Sequence, residues 1–383
     1  MKFKLLVCMT AIVMLFAECK KGTNAQEGVM SITDASDCQE VAFEDVATDI
    51  RIVPLISDEP IDELFRPACY GSTTVAVSAD LFSLYFFEDG RLTAKLNKVG
   101  RGRGEYLFIS KYAYSPSTRT VYVYSGQDDA MLKYSVPDMT FKGSFEISNV
   151  TSFAEHDDTT LIVRMKYQDR NGIYFVDARD GQVRRMLKES NGFSATIASV
   201  GSIGYYTPEH RILSEVGSVN TVSEVPAEIS QDEKILLRFD FGQDGVPAKF
   251  DNMELSEEGL DLLMEYATYA ADHVNTLISE IRNVRVGQDG ISFWFFQASP
   301  IDMKYIRIED GDVFKYKGFN AKGIKSQFSP SSVTGNGYVT LITGLPESVF
   351  DDSGERSEFT ADLEKVMKAQ KFNNPVLVYY NIK

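Results

Sequence analysis

The sequence predicts an all-β fold, a six-bladed β-propeller with a helical insertion and a short C-terminal helix. Three observations carry this reading. Apolar residues fall in short alternating runs bounded by turn residues, the strand signature rather than the helical one. The runs recur at a period of about 40 to 50 residues, the length of a four-stranded blade. A strand-like segment stands at each end of the expected domain, as ring closure requires. The balance of 25 Phe and 19 Tyr against one Trp also favours strands.

The chain opens on an export signal. Lys2 and Lys4 precede an apolar run from Leu5 to Ala17 that is short for a membrane-spanning helix. Cys19 follows directly, a placement that resembles the lipobox of bacterial lipoproteins, in which the cysteine is acylated and becomes the first mature residue. Residues 1–18 are then the signal peptide and Cys19 the lipidation site. Glu18 stands where that motif has a small residue, so cleavage after Ala25, in Thr23-Asn24-Ala25, remains a second reading. Residues 19–40 are polar and without periodicity, the composition of a tether, and the propeller is expected over 41–383.

Within the domain the repeat can be followed run by run. Val75, Val121, Leu161, Ile203, Ile291 and Tyr338 anchor six equivalent units, spaced 46, 40, 42, 88 and 47 residues apart. Gly90, Gly181 and Gly311 each follow an aspartate between two strand runs, a strong hairpin cue because tight hairpin turns require positive φ at their centre. The 88-residue interval contains an insertion at about 256–282. There Leu260, Leu263, Ala267, Ala270, Val274, Ile278 and Ile281 recur at three and four, and Ser256 with Glu258 nearby suits a helix start. Near the C-terminus Leu363, Val366 and Met367 mark a short amphipathic helix, followed by a strand run from Pro375 to Ile382. Ile50 to Leu55 is expected to complete the blade that holds this terminal strand.

Composition excludes some partners. A net charge of −16 repels nucleic acid phosphates and anionic headgroups, so no nucleic acid partner is expected. Membrane attachment would come through the lipid, since no other segment approaches about 18 consecutive apolar residues. Of four cysteines, Cys8 lies in the signal and Cys19 is the acyl site. That leaves Cys38 and Cys69, for which a disulfide and two separate thiols both stand open.

Catalytic constellations are scarce. His156, His210 and His273 are widely spaced, without an HExxH or a Cys/His cluster, and no GxSxG elbow occurs. No catalytic or metal-binding residue is assigned. Carboxylates are plentiful but lack the spacing of a calcium loop, so calcium would require oxygens converging from several blades.

The most distinctive stretch is Gly100-Arg101-Gly102-Arg103-Gly104-Glu105-Tyr106. Its spacing is neither that of a Walker loop nor that of a dinucleotide loop. In one reading Glu105 pairs with an arginine and Tyr106 packs between blades. In the other, Arg101 and Arg103 project into the channel mouth, where paired guanidinium groups suit carboxylates or phosphates. Arg101, Arg103, Glu105 and Tyr106 are therefore the candidate ligand-binding residues.

Gly100-x-Gly102-x-Gly104-x-Tyr106, followed by Val121-Tyr122-Val123-Tyr124 and Leu132-x-Tyr134, resembles an NHL-type propeller repeat. It is similar still more closely to six-bladed propeller lipoproteins of Gram-negative envelopes, which carry a GRGPGEY-like loop and end in an NPVLVxY-like strand, as Asn374 to Tyr379 do here. Arg103 replaces the usual proline of that loop, and Ser125 the aspartate that often ends the NHL strand. The resemblance implies a propeller with an envelope address and brings no activity.

Two functions follow as expectations. The first is a non-enzymatic module, anchored in the cell envelope, that binds an envelope protein, a glycan or a small molecule. The alternative is a calcium-dependent envelope hydrolase or lyase that uses the propeller channel.

Overall fold

The computed structural model describes residues 28–33, 38–190, 211–251, 260–288, 290–297, 303–335 and 337–383. Two strands come from the N-terminal segment, β1 (Met30–Ser31) and β2 (Ala47–Pro54). Blade 1 is β3 (Leu64–Tyr70), β4 (Thr73–Ser78), β5 (Leu84–Glu88) and β6 (Arg91–Leu96). Blade 2 is β7 (Lys111–Ser115), β8 (Thr120–Ser125), β9 (Ala130–Ser135) and β10 (Phe141–Glu146). Blade 3 is β11 (Val150–Asp157), β12 (Thr160–Tyr167), β13 (Arg170–Asp177) and β14 (Val183–Glu189). Blade 4 supplies only β15 (Ile212–Glu215), β16 (Asn220–Glu224) and β17 (Lys234–Asp240). Blade 5 is β18 (Ile278–Gly287), β19 (Gly290–Gln297), β20 (Met303–Glu309) and β21 (Asp312–Lys317), and blade 6 is β22 (Ser332–Thr334), β23 (Gly337–Ile342) and β24 (Val376–Ile382).

All six sheets are four-stranded, because β1 joins blade 4 beside β17 and β2 joins blade 6 beside β24. The first strand of each blade lies innermost; β7 packs on β11, β15 on β18, β18 on β22 and β22 on β3. The expected closure is present: β2 pairs antiparallel with β24 from Ala47↔Ile382 to Pro54↔Val376. The sequence anchors fall on the second strand of each blade. Ile203 lies outside the described residues, and β16 is the second strand of blade 4.

The stretch read as a tether contributes to the blades ahead of residue 41. Met30 and Ser31 pair in parallel with Phe239 and Asp240 on blade 4. Isolated parallel bridges then join Gln39 to Tyr316 on blade 5, Ala42 to Asn320 just beyond it, and Ile56 to Arg91 on blade 1. With β2 on blade 6, this segment forms a belt across the outer edges of four blades. Each bridge satisfies backbone groups that an outermost strand would leave to water.

The helical insertion is shorter than its apolar pattern predicts. Residues 252–259, with Ser256 and Glu258, lie outside the described residues, and α1 covers Leu260–Asp272. It packs Leu262, Leu263, Tyr266, Tyr269 and Ala270 against Val246, Phe250 and Leu277, whereas Ala267 is exposed. Ile278 and Ile281 belong instead to the inner strand β18, both buried. Their helix-like spacing has a physical cause. The register of β18 on β19 shifts between Ile278 and Glu280 and again between Arg282 and Arg285, and each extra residue places i and i+3 on one face. Ile278, Ile281 and Val284 consequently face the same core. Blade 4 ends at its third strand, so the chain must return along the blade before β18 can start; α1 lies on that return.

Near the C-terminus, α2 (Glu358–Ala369) is capped by Ser357, whose side chain accepts from the Thr360 N–H while Thr360 reaches back to the Ser357 N–H. It buries Phe359, Leu363 and Met367 against blade 6 beside Phe43, Phe328 and Tyr380. Among the described residues, no helix is long and apolar enough to cross a membrane. No disulfide joins Cys38 to Cys69. Cys69 is buried on β3 against Thr74 and Tyr379, while Cys38 packs on the blade 4 and blade 5 core, on another side of the ring.

Candidate functional site

The glycine-arginine loop connects the outermost strand of blade 1 to the innermost strand of blade 2. Its neck is closed by two backbone bonds, Gly100 N–H to Tyr106 O (3.0 Å) and Tyr106 N–H to Lys98 O (3.0 Å). Tyr106 is fully buried in the core shared by blades 1 and 2, and its hydroxyl donates to Phe82 O (3.0 Å) while accepting from the Lys98 N–H (3.2 Å). Burial raises the Tyr106 phenol to about 12, so it stays protonated and holds this bridge. Tyr106 is therefore a buried inter-blade residue and does not face a ligand.

Glu105 does not pair with an arginine. Its carboxylate turns into the loop and accepts from the Gly102 N–H (2.7 Å). This fold-back needs glycine at position 100, where an added Cβ would meet the Glu105 carboxylate at 1.9 Å. At Gly104, φ is +76°, and an added Cβ would lie 2.6 Å from the Phe141 ring. The Tyr134 hydroxyl donates to Gly104 O (3.1 Å). Together, Tyr134 on β9 and Phe141 on β10 hold the loop against the outer half of blade 2.

That placement corrects the expectation for the arginines. Arg101 and Arg103 border a groove of about 550 Å³ lined also by Glu105, Asp128, Leu132 and Phe141, beside outer strands and not at the channel, which β7 lines. Both are exposed, and among the described residues neither has an ion-pair partner. Asp128, on the facing turn, accepts from the Ser125 hydroxyl at 2.7 Å. The groove thus presents two exposed guanidinium groups, whose chemistry suits carboxylate, sulfate or phosphate, over a lining that mixes Leu132 and Phe141 with the carboxylates of Glu105 and Asp128.

The channel holds charges that sequence reasoning missed. Arg66 sits at a register shift in β3 with φ +51°, and the Tyr112 hydroxyl donates to its carbonyl at 2.5 Å. Burial, reinforced by the neighbouring Arg66, lowers the Lys111 ammonium to about 8. Glu155 on β11 is buried between blades 2 and 3, where the Ser115 and Ser117 hydroxyls donate to one carboxyl oxygen. Its other oxygen is buried without a hydrogen bond, and burial raises the acid to about 7. No local motif marks these residues; only the repeat register, once known, puts them on inner strands.

Among the described residues, His156 and His273 stand in separate surroundings. His156 is buried against Phe175 with Nε2 3.2 Å from Ala227 O, and His273 stacks on Tyr269 at the end of α1. His210 and Cys19 lie outside the described residues. Among those residues, no group of three or more metal-ligating side chains is gathered.

Comparison with known proteins agrees with this architecture. A solved structure of a presumed exported protein from Bacteroides fragilis NCTC 9343 is similar over 93% of this chain and 99% of its own, with a TM-score of 0.60 and 14% identity. A member of the DUF4221 family from Bacteroides vulgatus ATCC 8482 is similar over 88% of this chain and 98% of its own, with a TM-score of 0.49 and 10% identity. At 14% identity the likeness to the first of these concerns the fold alone. No curated protein sequence matches the chain. A family model described as a 6-bladed beta-propeller, DUF5128, matches residues 21–244, more than half of the sequence, and the chain belongs to that family.

Proposed function

We propose that this propeller is a non-enzymatic binding module of the bacterial cell envelope, held there by a lipid on Cys19. In this reading it takes the anionic groups of a glycan, a small molecule or an envelope protein into the groove under Arg101 and Arg103. One observation carries it. In a chain of net charge −16, two exposed guanidinium groups border a groove while the adjacent Glu105 is engaged by a backbone N–H. The NHL-like and lipoprotein resemblance of the sequence and the export ascribed to the Bacteroides fragilis protein support the envelope address.

The test is an array of carboxylated and sulfated glycans probed with the wild type and with Arg101→Ala/Arg103→Ala. Binding that the double variant loses at an unchanged melting temperature supports the proposal; binding that it keeps removes these arginines from the site. Labelling with a fatty-acid analogue, with Cys19→Ser as control, tests the anchor, and an unlabelled wild type would refute it. Stoichiometric calcium in the purified protein would favour the competing reading of a calcium-dependent hydrolase or lyase.

A further inference from the structure

Three cations lie along one arc of the channel wall. Arg66 stands on β3 of blade 1, Lys111 on β7 of blade 2 and Arg282 on β18 of blade 5, all innermost strands. The arc is continuous: β18 packs on β22, β22 packs on β3, and the Tyr112 hydroxyl donates to Arg66 O across the gap from β7 to β3. Each blade repeats the same up-and-down order, so the innermost strands run alike, and each cation lies in the first half of its strand. They therefore share one end of the channel.

Irregular backbone sets two of them. Arg66 and Pro67 fall in a register shift of β3 on β4, with Arg66 at φ +51°, and Arg282 borders a shift in β18 beside Asn283 at φ +52°. Such φ values are uncommon outside glycine, and a bulge re-aims the side chains beside it. The charges are only partly compensated. Arg282 pairs with Glu280. The Arg66 guanidinium lies 5.0 Å from the Phe65 ring centre and Lys111 is part-buried, and among the described residues no carboxylate pairs with either. Desolvation lowers both groups, and a neighbouring cation adds to it in each case, Arg282 for Arg66 and Arg66 for Lys111. Solutes reach the cluster, since Arg66 is exposed and the Arg282 side chain is 40% exposed.

We infer that this arc binds a compact tetrahedral oxyanion, phosphate or sulfate, free or terminal on a small molecule. Glu280 already offsets Arg282, so Arg66 and Lys111 together match a dianion. Groups arriving from three blades suit an acceptor with oxygens in several directions, whereas one guanidinium fork satisfies a planar carboxylate. A desolvated ammonium without a partner destabilises the fold, and a bound anion relieves it. The site lies on innermost strands and is independent of the Arg101 groove, which lies beside the outer strands of blade 2.

The experiment follows thermal unfolding of the mature chain carrying Arg101→Ala/Arg103→Ala, which removes the outer groove. Sulfate, inorganic phosphate or glycerol phosphate is added at about 1–20 mM against chloride of equal ionic strength. The expected result is a saturable rise in melting temperature with sulfate and phosphate, for which Lys111→Met and Arg66→Gln each weaken the apparent affinity roughly tenfold or more. Without added oxyanion both variants should melt no lower than their parent, since each removes a cation that has no carboxylate partner, so that lost binding is not lost folding. Glycerol phosphate that binds as well as phosphate assigns the site to a terminal group, and weaker binding assigns it to the free anion. No saturable rise over chloride, a rise that both variants retain, or a rise in the wild type that Arg101→Ala/Arg103→Ala abolishes would each overturn the inference.

Discussion

Glu155 gives the fold a pH dependence that can be worked through. Its carboxyl is buried between β7 and β11, and desolvation raises it from an ordinary 4.5 to about 7. The Ser115 and Ser117 hydroxyl bonds oppose that rise, while the nearby Asp158 and Asp157 add to it. A raised carboxyl means that the folded state holds the proton where the unfolded chain has released it. Stability from this group is therefore greatest at low pH, falls as pH rises through the window from 4.5 to about 7, and levels off above. The shift corresponds to roughly 3 kcal/mol in total, of which about 2 kcal/mol falls between pH ~5.5 and ~8.5. Glu155→Gln cannot ionise and so lacks this component. Urea unfolding followed by Trp294, the only tryptophan and fully buried, should show wild type losing about 2 kcal/mol more than the variant over that interval. Unfolding curves that move in parallel for the two proteins would refute the assignment of a buried protonated acid.

Three further outcomes follow from the packing. Deleting 376–383 removes β24 from between β23 and β2, so the whole ring should lose its cooperative melt; an unchanged melting temperature would contradict closure through blade 6. Tyr106→Phe removes a hydroxyl bonded to Phe82 O and the Lys98 N–H and should cost about 1–2 kcal/mol in urea unfolding, with no loss expected only if the bridge between blades carries no stability. In native protein, iodoacetamide should modify Cys38 well before Cys69, whose thiol is shielded and pushed up by burial, and equal rates by mass spectrometry would argue against the buried position.

The blades were legible because each is written locally. Val121 to Tyr124 and Met131 to Tyr134 alternate within a few residues of their turn, and a hairpin needs no distant information to declare itself. The insertion was misread for an equally local reason: two bulges in β18 reproduce a helical period within a strand. For the candidate site, the three glycines marked a loop with special backbone, and Tyr106 between blades followed from repeat position. The direction of Arg101 and Arg103 did not. It depends on Tyr134 and Phe141, which lie some 30 to 40 residues further on and act on the loop only once blade 2 is folded.

The belt shows where sequence pattern ends as a source of information. Its contacts with blades 4, 5 and 1 are a two-residue strand and single bridges, each too short to impose alternation on residues 28–42 or on Ile56. Polar composition is then compatible with both a free tether and a segment whose backbone alone is bound. The two alternatives differ in energy through backbone pairing, which any non-proline side chain permits. Their consequence differs more. A segment fixed to blade 4 at Phe239, blade 6 at Val376 to Ile382 and blade 1 at Arg91 links parts of the ring that are far apart in sequence, so that opening either end of the belt exposes an outer edge on another blade. Closure of this propeller is thus shared between the terminal strand β24, whose run of apolar residues announces it, and a belt whose residues do not.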